Sequence, residues 1–167
     1  MPELLIGAGH SRDRRISVEG RQGWSKLVTL DANPACKPDI LHDLENLPYP
    51  LEDSAFDEIH AYEVLEHVGR QGDWRFFFAQ FDEFARILKP GGLMAITSPA
   101  APDPWVWGDP GHTRYMGPQV YTFLSRAEYD RQLGVTSMTD YRDYFKSDWQ
   151  RLHVTAADKY YVLRNVK

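Results

Sequence analysis

Two glycines near the start of the chain stand where a backbone could close around a ligand. Gly7 and Gly9 follow the apolar run Leu4–Ile6, which predicts a short buried strand. Glycine lets the chain turn sharply, and the absence of a Cβ lets a ligand approach the backbone. The arrangement matches half of a nucleotide-binding fingerprint, because the third glycine expected near Arg12 is missing.

Two histidines are the candidate acid–base groups of the chain. The unperturbed pKa of an imidazole lies near neutrality, so His67 and His112 are the candidate catalytic residues for a reaction that removes a proton. The alternative is that Glu63, Glu66 and His67 are exposed positions on a short helix and that His112 lies in a surface loop. Cys36 is the only cysteine, so no cysteine metal cluster can form, and we predict no metal site.

Charge is distributed unevenly along the chain. The segment 10–26 contains five basic residues, whereas the segment 38–69 contains nine carboxylates and neither lysine nor arginine. A nucleic-acid partner needs a concentrated basic surface, and the arginine cluster is too short to provide one. We therefore do not expect nucleic acid as a partner, and most of these charges are predicted to form a solvated surface.

Length and composition indicate a single domain over residues 1–167. The chain has 167 residues, of which 43% are hydrophobic, and its formal net charge is −5. That is enough for one domain with a hydrophobic core. No apolar run approaches a membrane span, and the first residues do not form a secretion signal. The expected location is the cytoplasm, without a membrane partner.

The apolar pattern alternates between strand and helix periods. Strands are predicted at Leu4–Ile6, Lys26–Asp31, Asp39–Leu44, Phe56–Tyr62 and Leu93–Pro99 and in the final KYYVLRNV. A helix begins at Trp74, carries apolar residues at three- to four-residue spacing and stops before Pro90. Ser125 and Glu128 form a capping-box pattern that starts a later helix, which ends at Gly134.

Strands that alternate with helices indicate a mostly parallel, open α/β sheet, whose ligands bind at the carboxyl ends of the strands. Asp31 ends the second predicted strand, Asp43 lies at the end of the third, and Tyr62 and Glu63 end the fourth. The segment 100–118 is long enough to act as a lid over this edge.

Four segments carry the most specific pattern: LPYP (47–50), FDEI (56–59), EVLEHV (63–68) and RILKPGG (86–92). Together with GAG and VTLD, they resemble the class I S-adenosylmethionine-dependent methyltransferases in order and relative spacing. Within that family the chain is similar to a small subgroup with an irregular loop that ends in Gly-Trp, as in QGWSKLVTLD. The resemblance implies a Rossmann-like, mostly parallel sheet with helices on both faces, a shortened or missing first helix and an antiparallel C-terminal strand.

The resemblance also implies S-adenosylmethionine as the cofactor. The positions that match its binding residues are Gly7, Gly9, Asp31, Ala32, Asp43, Leu44, Tyr62 and Glu63. In that arrangement Asp31 accepts hydrogen bonds from the ribose hydroxyls, and Asp43 accepts one from the adenine amino group. Tyr62 or Glu63 faces the sulfonium cation, which an aromatic face or a negative charge stabilises. For Asp31 and Asp43 the alternative is a helix N-cap.

Two departures from the family pattern leave other functions open. Leu5 stands where the family has an acidic residue, and Ser11 replaces the third glycine. One alternative is therefore a degenerate methyltransferase fold that serves as a binding or scaffold module. Another is a nicotinamide-dependent oxidoreductase, since Asp31 could also hold the ribose of NAD, although EVLEHV and KPGG have no place in that interpretation.

The methyl acceptor is predicted to be a small molecule or a sugar-like compound. In the family that the chain resembles, enzymes that methylate amino groups of nucleic acids typically carry an Asn-Pro-Pro-Tyr-like tetrapeptide after the fourth strand. No such tetrapeptide follows the fourth predicted strand of this chain. The candidate substrate residues lie in the predicted lid and are Trp105, Trp107, Arg114 and Tyr115. Alternatively, the two tryptophans pack onto the sheet or form a homodimer contact.

Overall fold

Seven strands and three α-helices make up the computed structural model, which describes residues 1–155, 157 and 159–166. The strands are β1 (Pro2–Ile6), β2 (Lys26–Asp31), β3 (Ile40–Leu41), β4 (Phe56–Tyr62), β5 (Leu88–Thr97), β6 (Trp149–Thr155) and β7 (Tyr160–Asn165). The helices are α1 (Trp74–Ile87), α2 (Trp105–Gly108) and α3 (Arg126–Gln132), and 3₁₀ turns cover Pro34–Cys36, Leu65–His67 and Val120–Leu124. Among the described residues, no helix has both the length and the apolar character needed to cross a membrane.

The strands form one sheet in the order β3-β2-β1-β4-β5-β7-β6. The first five pair in parallel with their neighbours, and β7 is antiparallel to both β5 and β6. The predicted Rossmann-like sheet with an antiparallel C-terminal strand is therefore confirmed. Because β2, β1, β4 and β5 are parallel neighbours, their carboxyl ends meet at one edge of the sheet.

One face of the sheet is covered by helices. The larger apolar cluster joins sheet residues such as Ile59 to Phe78, Phe81 and Phe84 of α1 and to Tyr129 of α3. The three-to-four-residue spacing of the α1 phenylalanines places them on the same side of the helix. The predicted amphipathic helices therefore cover this face of the sheet.

The opposite face is covered by an irregular segment in place of the first helix. A smaller apolar cluster joins Leu5 and Tyr62 of the sheet to Ile16 and Val18 of the segment 8–25. None of the residues in this cluster belongs to a helix. The predicted loss of the first helix is thus confirmed, and the expected helices on this face are replaced by extended and turning backbone.

A buried charge network anchors the segment 8–25 to this face. The Arg14 guanidinium donates to Glu3 Oε1 at 2.7 Å and pairs with Glu58, and all three side chains are at most 2% exposed. Arg21 also pairs with Glu58. The prediction that the charged residues of the segments 10–26 and 38–69 form a solvated surface is therefore wrong for Arg14 and Glu58.

His60 and Tyr62 extend the network toward the irregular segment. His60 Nε2 donates to Glu58 at 2.8 Å, and the Tyr62 hydroxyl donates to His60 Nδ1 at 2.6 Å. The same hydroxyl oxygen accepts from the backbone N–H of Ile16 at 3.3 Å. Burial, followed by the positive charge of Arg14, lowers the pKa of His60 to about 3. His60 is therefore neutral at physiological pH.

The pH dependence of stability tests whether His60 is buried in its neutral form. Its pKa is about 3 in the folded chain, against 6.5 for a solvated histidine in the unfolded chain. The unfolded chain therefore binds more protons between these values, and acid destabilises the fold. We expect His60→Gln to make the slope of the unfolding free energy against pH shallower by up to about 1.4 kcal/mol per unit between about pH 6 and pH 4. Denaturant titrations across this range measure the slope, and equal slopes for the two proteins would contradict a neutral His60.

Several elements differ from their predictions, and β5 runs over Leu88–Thr97 instead of Leu93–Pro99. The third strand is limited to Ile40–Leu41, because Asp43 turns the chain by accepting from the backbone N–H of Glu45 at 2.9 Å. The β6 strand was not predicted. Ser125 occupies the N-cap of α3, but its side chain makes no capping hydrogen bond, so the helix is confirmed without the predicted capping box.

Candidate functional site

The two glycines after β1 serve different purposes. Gly7 and Gly9 both have a left-handed backbone, with φ of +58° and +55°. A Cβ at Gly7 would lie 2.2 Å from Cγ2 of Val64, so this position packs directly against the segment that follows β4. A Cβ at Gly9 would meet nothing within 4 Å. The backbone at Gly9 is therefore open on the side from which a ligand could approach.

Asp31 connects the glycine loop to the end of β2. Its Oδ2 accepts from the backbone N–H of Gly9 at 2.8 Å, and its Oδ1 accepts from that of Asn33 at 2.7 Å. Each carboxylate oxygen has two lone pairs, so both can accept a further hydrogen bond. Asn33, rather than Asp31, is the N-cap of the following 3₁₀ turn, and the N-cap alternative for Asp31 is wrong.

The three residues expected around a nucleobase are placed differently. Ala32 and Asp43 are exposed beyond the ends of β2 and β3. Leu44 is 5% exposed and packs in the larger apolar cluster. Asp43 is therefore accessible to a ligand, whereas the Leu44 side chain already has its packing partners inside the protein.

Tyr62 and Glu63 diverge at the end of β4. The Tyr62 ring lies in the smaller apolar cluster, and burial raises the pKa of its hydroxyl, which stays protonated. Glu63 is exposed and has a left-handed backbone with φ of +53°, and its N–H donates to the Thr97 carbonyl at 3.0 Å. A strained non-glycine residue at the end of a central strand is typical of a functional position.

Glu66 and the two predicted histidines come together just beyond this turn. One carboxylate oxygen of Glu66 and one nitrogen from each of His67 and His112 lie within 4.8 Å of one another. The two imidazole rings are in edge-on contact, with centroids 4.6 Å apart. The adjacent residues Glu66 and His67 thus form one polar cluster with the distant His112, which we call the Glu66 cluster.

Glu66 is the buried member of this cluster. It is 2% exposed, and neither of its carboxylate oxygens has a hydrogen-bond partner among the described residues. Burial raises the pKa of Glu66 to about 8, and the carboxylate of Glu63 adds to this increase. The interpretation of Glu66 as an exposed helix position is wrong, whereas His67 is exposed as that interpretation requires.

Both histidines are oriented by backbone carbonyls. His67 Nδ1 lies 3.0 Å from the Gly111 oxygen, and His112 Nδ1 lies 3.3 Å from the Val106 oxygen. Because a carbonyl only accepts, each Nδ1 carries the hydrogen and donates it. This leaves the Nε2 lone pair of each neutral imidazole free to bind a proton or another ligand.

A cavity of about 380 Å³ lies against the Glu66 cluster. It is lined by Glu63, Glu66, His67, Pro99, Asp103, Trp105, Asp109, His112 and Lys159. Lys159 is paired with Asp103, which leaves the carboxylates of Glu63 and Asp109 in excess, beside the carboxyl group of Glu66. The cavity therefore has an acidic lining at the carboxyl ends of β4 and β5.

The two tryptophans of the segment 100–118 lie at the surface. Trp105 and Trp107 are 65% and 69% exposed, so the alternative that both pack onto the sheet is wrong. Trp105 lines the 380 Å³ cavity, and Trp107 stacks on Tyr115 with ring centroids 6.0 Å apart.

Arg114 and Tyr115 line a different cavity. This second cavity, of about 250 Å³, lies beside the start of α1. Arg114 is 4% exposed and donates to the Leu65 carbonyl at 2.8 Å and to Gln80 Oε1 at 2.5 Å. It therefore holds the turn that carries the Glu66 cluster. Of the predicted substrate residues, Trp105 lines the 380 Å³ cavity, Arg114 and Tyr115 line the 250 Å³ cavity, and Trp107 lines neither.

Both histidines were predicted from the sequence as candidate catalytic residues, but Glu66 was not predicted as their partner. The available signal was the adjacent acid–imidazole pair Glu66–His67 in EVLEHV, directly after a predicted central strand. Its connection to His112 depends on the path of the segment 100–118, which no local pattern specifies.

Comparison with known protein families gives one clear match. A family model described as a methyltransferase domain matches residues 6–96, which is more than half of the chain. This range includes the glycine loop, Asp31 and the first two members of the Glu66 cluster. No curated protein matches the chain in sequence.

Solved structures show the same fold at low sequence identity. An S-adenosylmethionine-dependent methyltransferase from Archaeoglobus fulgidus is 14% identical with a TM-score of 0.58, over 99% of this chain and 86% of that one. The N-methyltransferase NodS from Bradyrhizobium japonicum, in complex with S-adenosyl-L-homocysteine, is 17% identical with a TM-score of 0.51, over 99% and 78%. Haemonchus contortus phosphoethanolamine N-methyltransferase 1 is 14% identical with a TM-score of 0.57, over 99% and 39%. The chain therefore spans less than half of some of the proteins it matches.

Proposed function

Since the chain belongs to the methyltransferase domain family and its cofactor is S-adenosylmethionine, we propose that it methylates a small polar acceptor bound against the Glu66 cluster. The observation that carries this proposal is the acidic 380 Å³ cavity at the carboxyl ends of β4 and β5, with Glu66, His67 and His112 on its wall. Ligands of open parallel sheets bind at this edge.

The residues along the edge fit the cofactor. The backbone at Gly9 is open, and Asp31 keeps lone pairs that can accept from ribose hydroxyls. Asp43 is exposed and can accept from an adenine amino group. The carboxylate of Glu63 suits the positive charge of the sulfonium, and S-adenosylmethionine supplies an electrophilic methyl group when it is bound.

The acceptor is proposed to be small because of the cavity volume and polar because of its lining. A volume of about 380 Å³ lies at the lower end of small-molecule sites. Imidazole and carboxylate groups bind hydroxyl or amino groups of a sugar-like compound or a small amine. Trp105 stands at the rim, where its exposed ring can cover an apolar face of the acceptor. His67 and His112 are the proposed groups that act on the acceptor's proton.

A labelled-methyl assay tests the proposal. The full chain is incubated with S-adenosylmethionine labelled in the methyl group and with separate pools of small polyols and sugars, small amines, RNA and protein. We expect label in one of the small-molecule pools, and His112→Ala should lower turnover about tenfold or more without changing cofactor affinity. His153→Ala, on β6, is the control and should leave turnover unchanged. Label transfer to RNA or protein alone would contradict a small acceptor.

A further inference from the structure

We propose that Glu66, His67 and His112 bind a divalent transition-metal ion, with an open coordination position facing the 380 Å³ cavity. A ligand atom from each of the three residues lies within 4.8 Å of the other two. A metal with ligands at about 2.1 Å places neighbouring ligand atoms roughly 3–4 Å apart. Small side-chain rotations are therefore sufficient to close the three residues around one ion.

Glu66 provides the first independent support for a cation. Its side chain is almost fully buried, and neither carboxylate oxygen has a hydrogen-bond partner among residues 1–155, 157 and 159–166. A buried carboxyl group without a partner is costly in its ionised form, so it either takes up a proton or binds a cation. Glu66 lines the cavity together with His67 and His112, so a cation bound there would directly satisfy the orphaned oxygens.

The orientation of the histidines provides the second support. Both Nδ1 atoms donate to backbone carbonyls, of Gly111 at 3.0 Å and of Val106 at 3.3 Å. Metal-binding histidines are typically oriented in this way, because the hydrogen bond at one nitrogen holds the lone pair of the other toward the ion. Asp109 Oδ2 lies 3.8 Å from His112 Nε2 and is within reach as an additional ligand.

The ligand types favour a transition metal over magnesium or calcium. Two imidazoles and one carboxylate suit zinc, manganese, iron or cobalt, whereas magnesium and calcium prefer oxygen ligands alone. Three protein ligands leave at least one position open, as in catalytic zinc sites. The acidic excess on the cavity wall adds electrostatic attraction for any divalent cation.

The open position gives the site a role in the proposed function. If methyl transfer occurs in this cavity, the metal holds an oxygen or nitrogen of the acceptor and lowers the pKa of a bound hydroxyl. His67 and His112 are then ligands that act through the ion instead of proton acceptors. This role rests on the proposed function, but binding of the metal does not.

Titration with the metal alone tests the site. The full chain is freed of metal with a chelator, and Co²⁺ and Zn²⁺ are titrated by visible absorption and calorimetry, with Mg²⁺ for comparison. We expect one Zn²⁺ or Co²⁺ per chain and an absorption band typical of four- or five-coordinate Co²⁺. His112→Ala and Glu66→Gln should each weaken binding by about a hundredfold or more, because each removes or weakens a direct ligand. His153→Ala should bind as the unaltered protein does.

The possible outcomes distinguish failure of the metal site from failure of the proposed methyl transfer. The metal site would be overturned if the chain bound neither Zn²⁺ nor Co²⁺. It would also be overturned if His112→Ala and Glu66→Gln left metal binding unchanged while circular dichroism showed an intact fold. Metal binding in a chain that methylates none of the acceptor pools would leave the site standing and remove the proposed acceptor. Methyl transfer that persists undiminished in chelator would overturn the assigned role of the metal and leave His67 and His112 as proton acceptors.

Discussion

Arg14→Met is expected to lower the free energy of unfolding by about 3–5 kcal/mol, because it leaves the buried carboxylate of Glu3 without its cation. Arg14 donates to Glu3 and pairs with Glu58, and both acids are 1% exposed. Arg21 stays on Glu58, but Glu3 keeps only the backbone N–H groups of Ser25 and Lys26. Denaturant unfolding monitored by circular dichroism measures the change.

Arg15→Met is the matched control for this experiment. Arg15 is the neighbouring residue, is exposed and lies over the Tyr62 ring at 5.5 Å. Loss of such a surface contact costs about 1 kcal/mol or less. If the Arg14 and Arg15 variants lose similar stability, the buried network does not hold the irregular segment in place, and the account of the missing first helix fails.

Asp31→Ala is expected to weaken binding of S-adenosylhomocysteine by about a hundredfold or more. A hydrogen bond to a charged group contributes about 1.5–3 kcal/mol, and the two ribose hydroxyls both donate to this carboxylate in the proposed site. The substitution also releases the N–H of Gly9, which Asp31 holds at 2.8 Å. Calorimetric titration measures the affinity.

Asp43→Ala is the comparison for Asp31→Ala. In the proposed site Asp43 accepts a hydrogen bond from a single amino group, and none of its described contacts is to the glycine loop. Loss of its carboxylate should therefore weaken cofactor binding about tenfold. Thermal unfolding of both variants establishes that the fold persists. If Asp43→Ala has the larger effect, or neither variant changes affinity, the nucleoside lies elsewhere.

The central sheet was predictable because its strands are short apolar runs with clear ends. Leu4–Ile6 and Leu93–Ile96 are buried on both sides, so their composition alone identifies them. The β6 strand was missed because a register shift between Arg151 and His153 interrupts the two-residue period. The length of β3 was overestimated, since a side-chain turn at Asp43 competes with strand pairing.

The parts of the site that follow strands could be predicted, and those that depend on long-range contacts could not. Gly9 and Asp31 were predicted as binding residues from their positions after β1 and β2, and the structure brings these two residues into contact. Glu58 was predicted to lie at a solvated surface, because nothing near it in the sequence reveals that Arg14 covers it. The sequence prediction placed His67 and His112 among the candidate site residues without Glu66 for the same reason.

Titration of the full chain with S-adenosylmethionine, S-adenosylhomocysteine and NAD tests whether the sheet edge at Gly9 and Asp31 binds the methyl donor. Calorimetry reports the affinity without requiring knowledge of the acceptor. We expect both methionine-derived compounds to bind in the sub-millimolar range at one site per chain, Asp31→Ala to weaken the binding of both, and NAD not to bind. A folded chain that binds neither methionine-derived compound would contradict a methyltransferase site at Gly9 and Asp31, and would indicate a fold that has kept its scaffold without its cofactor.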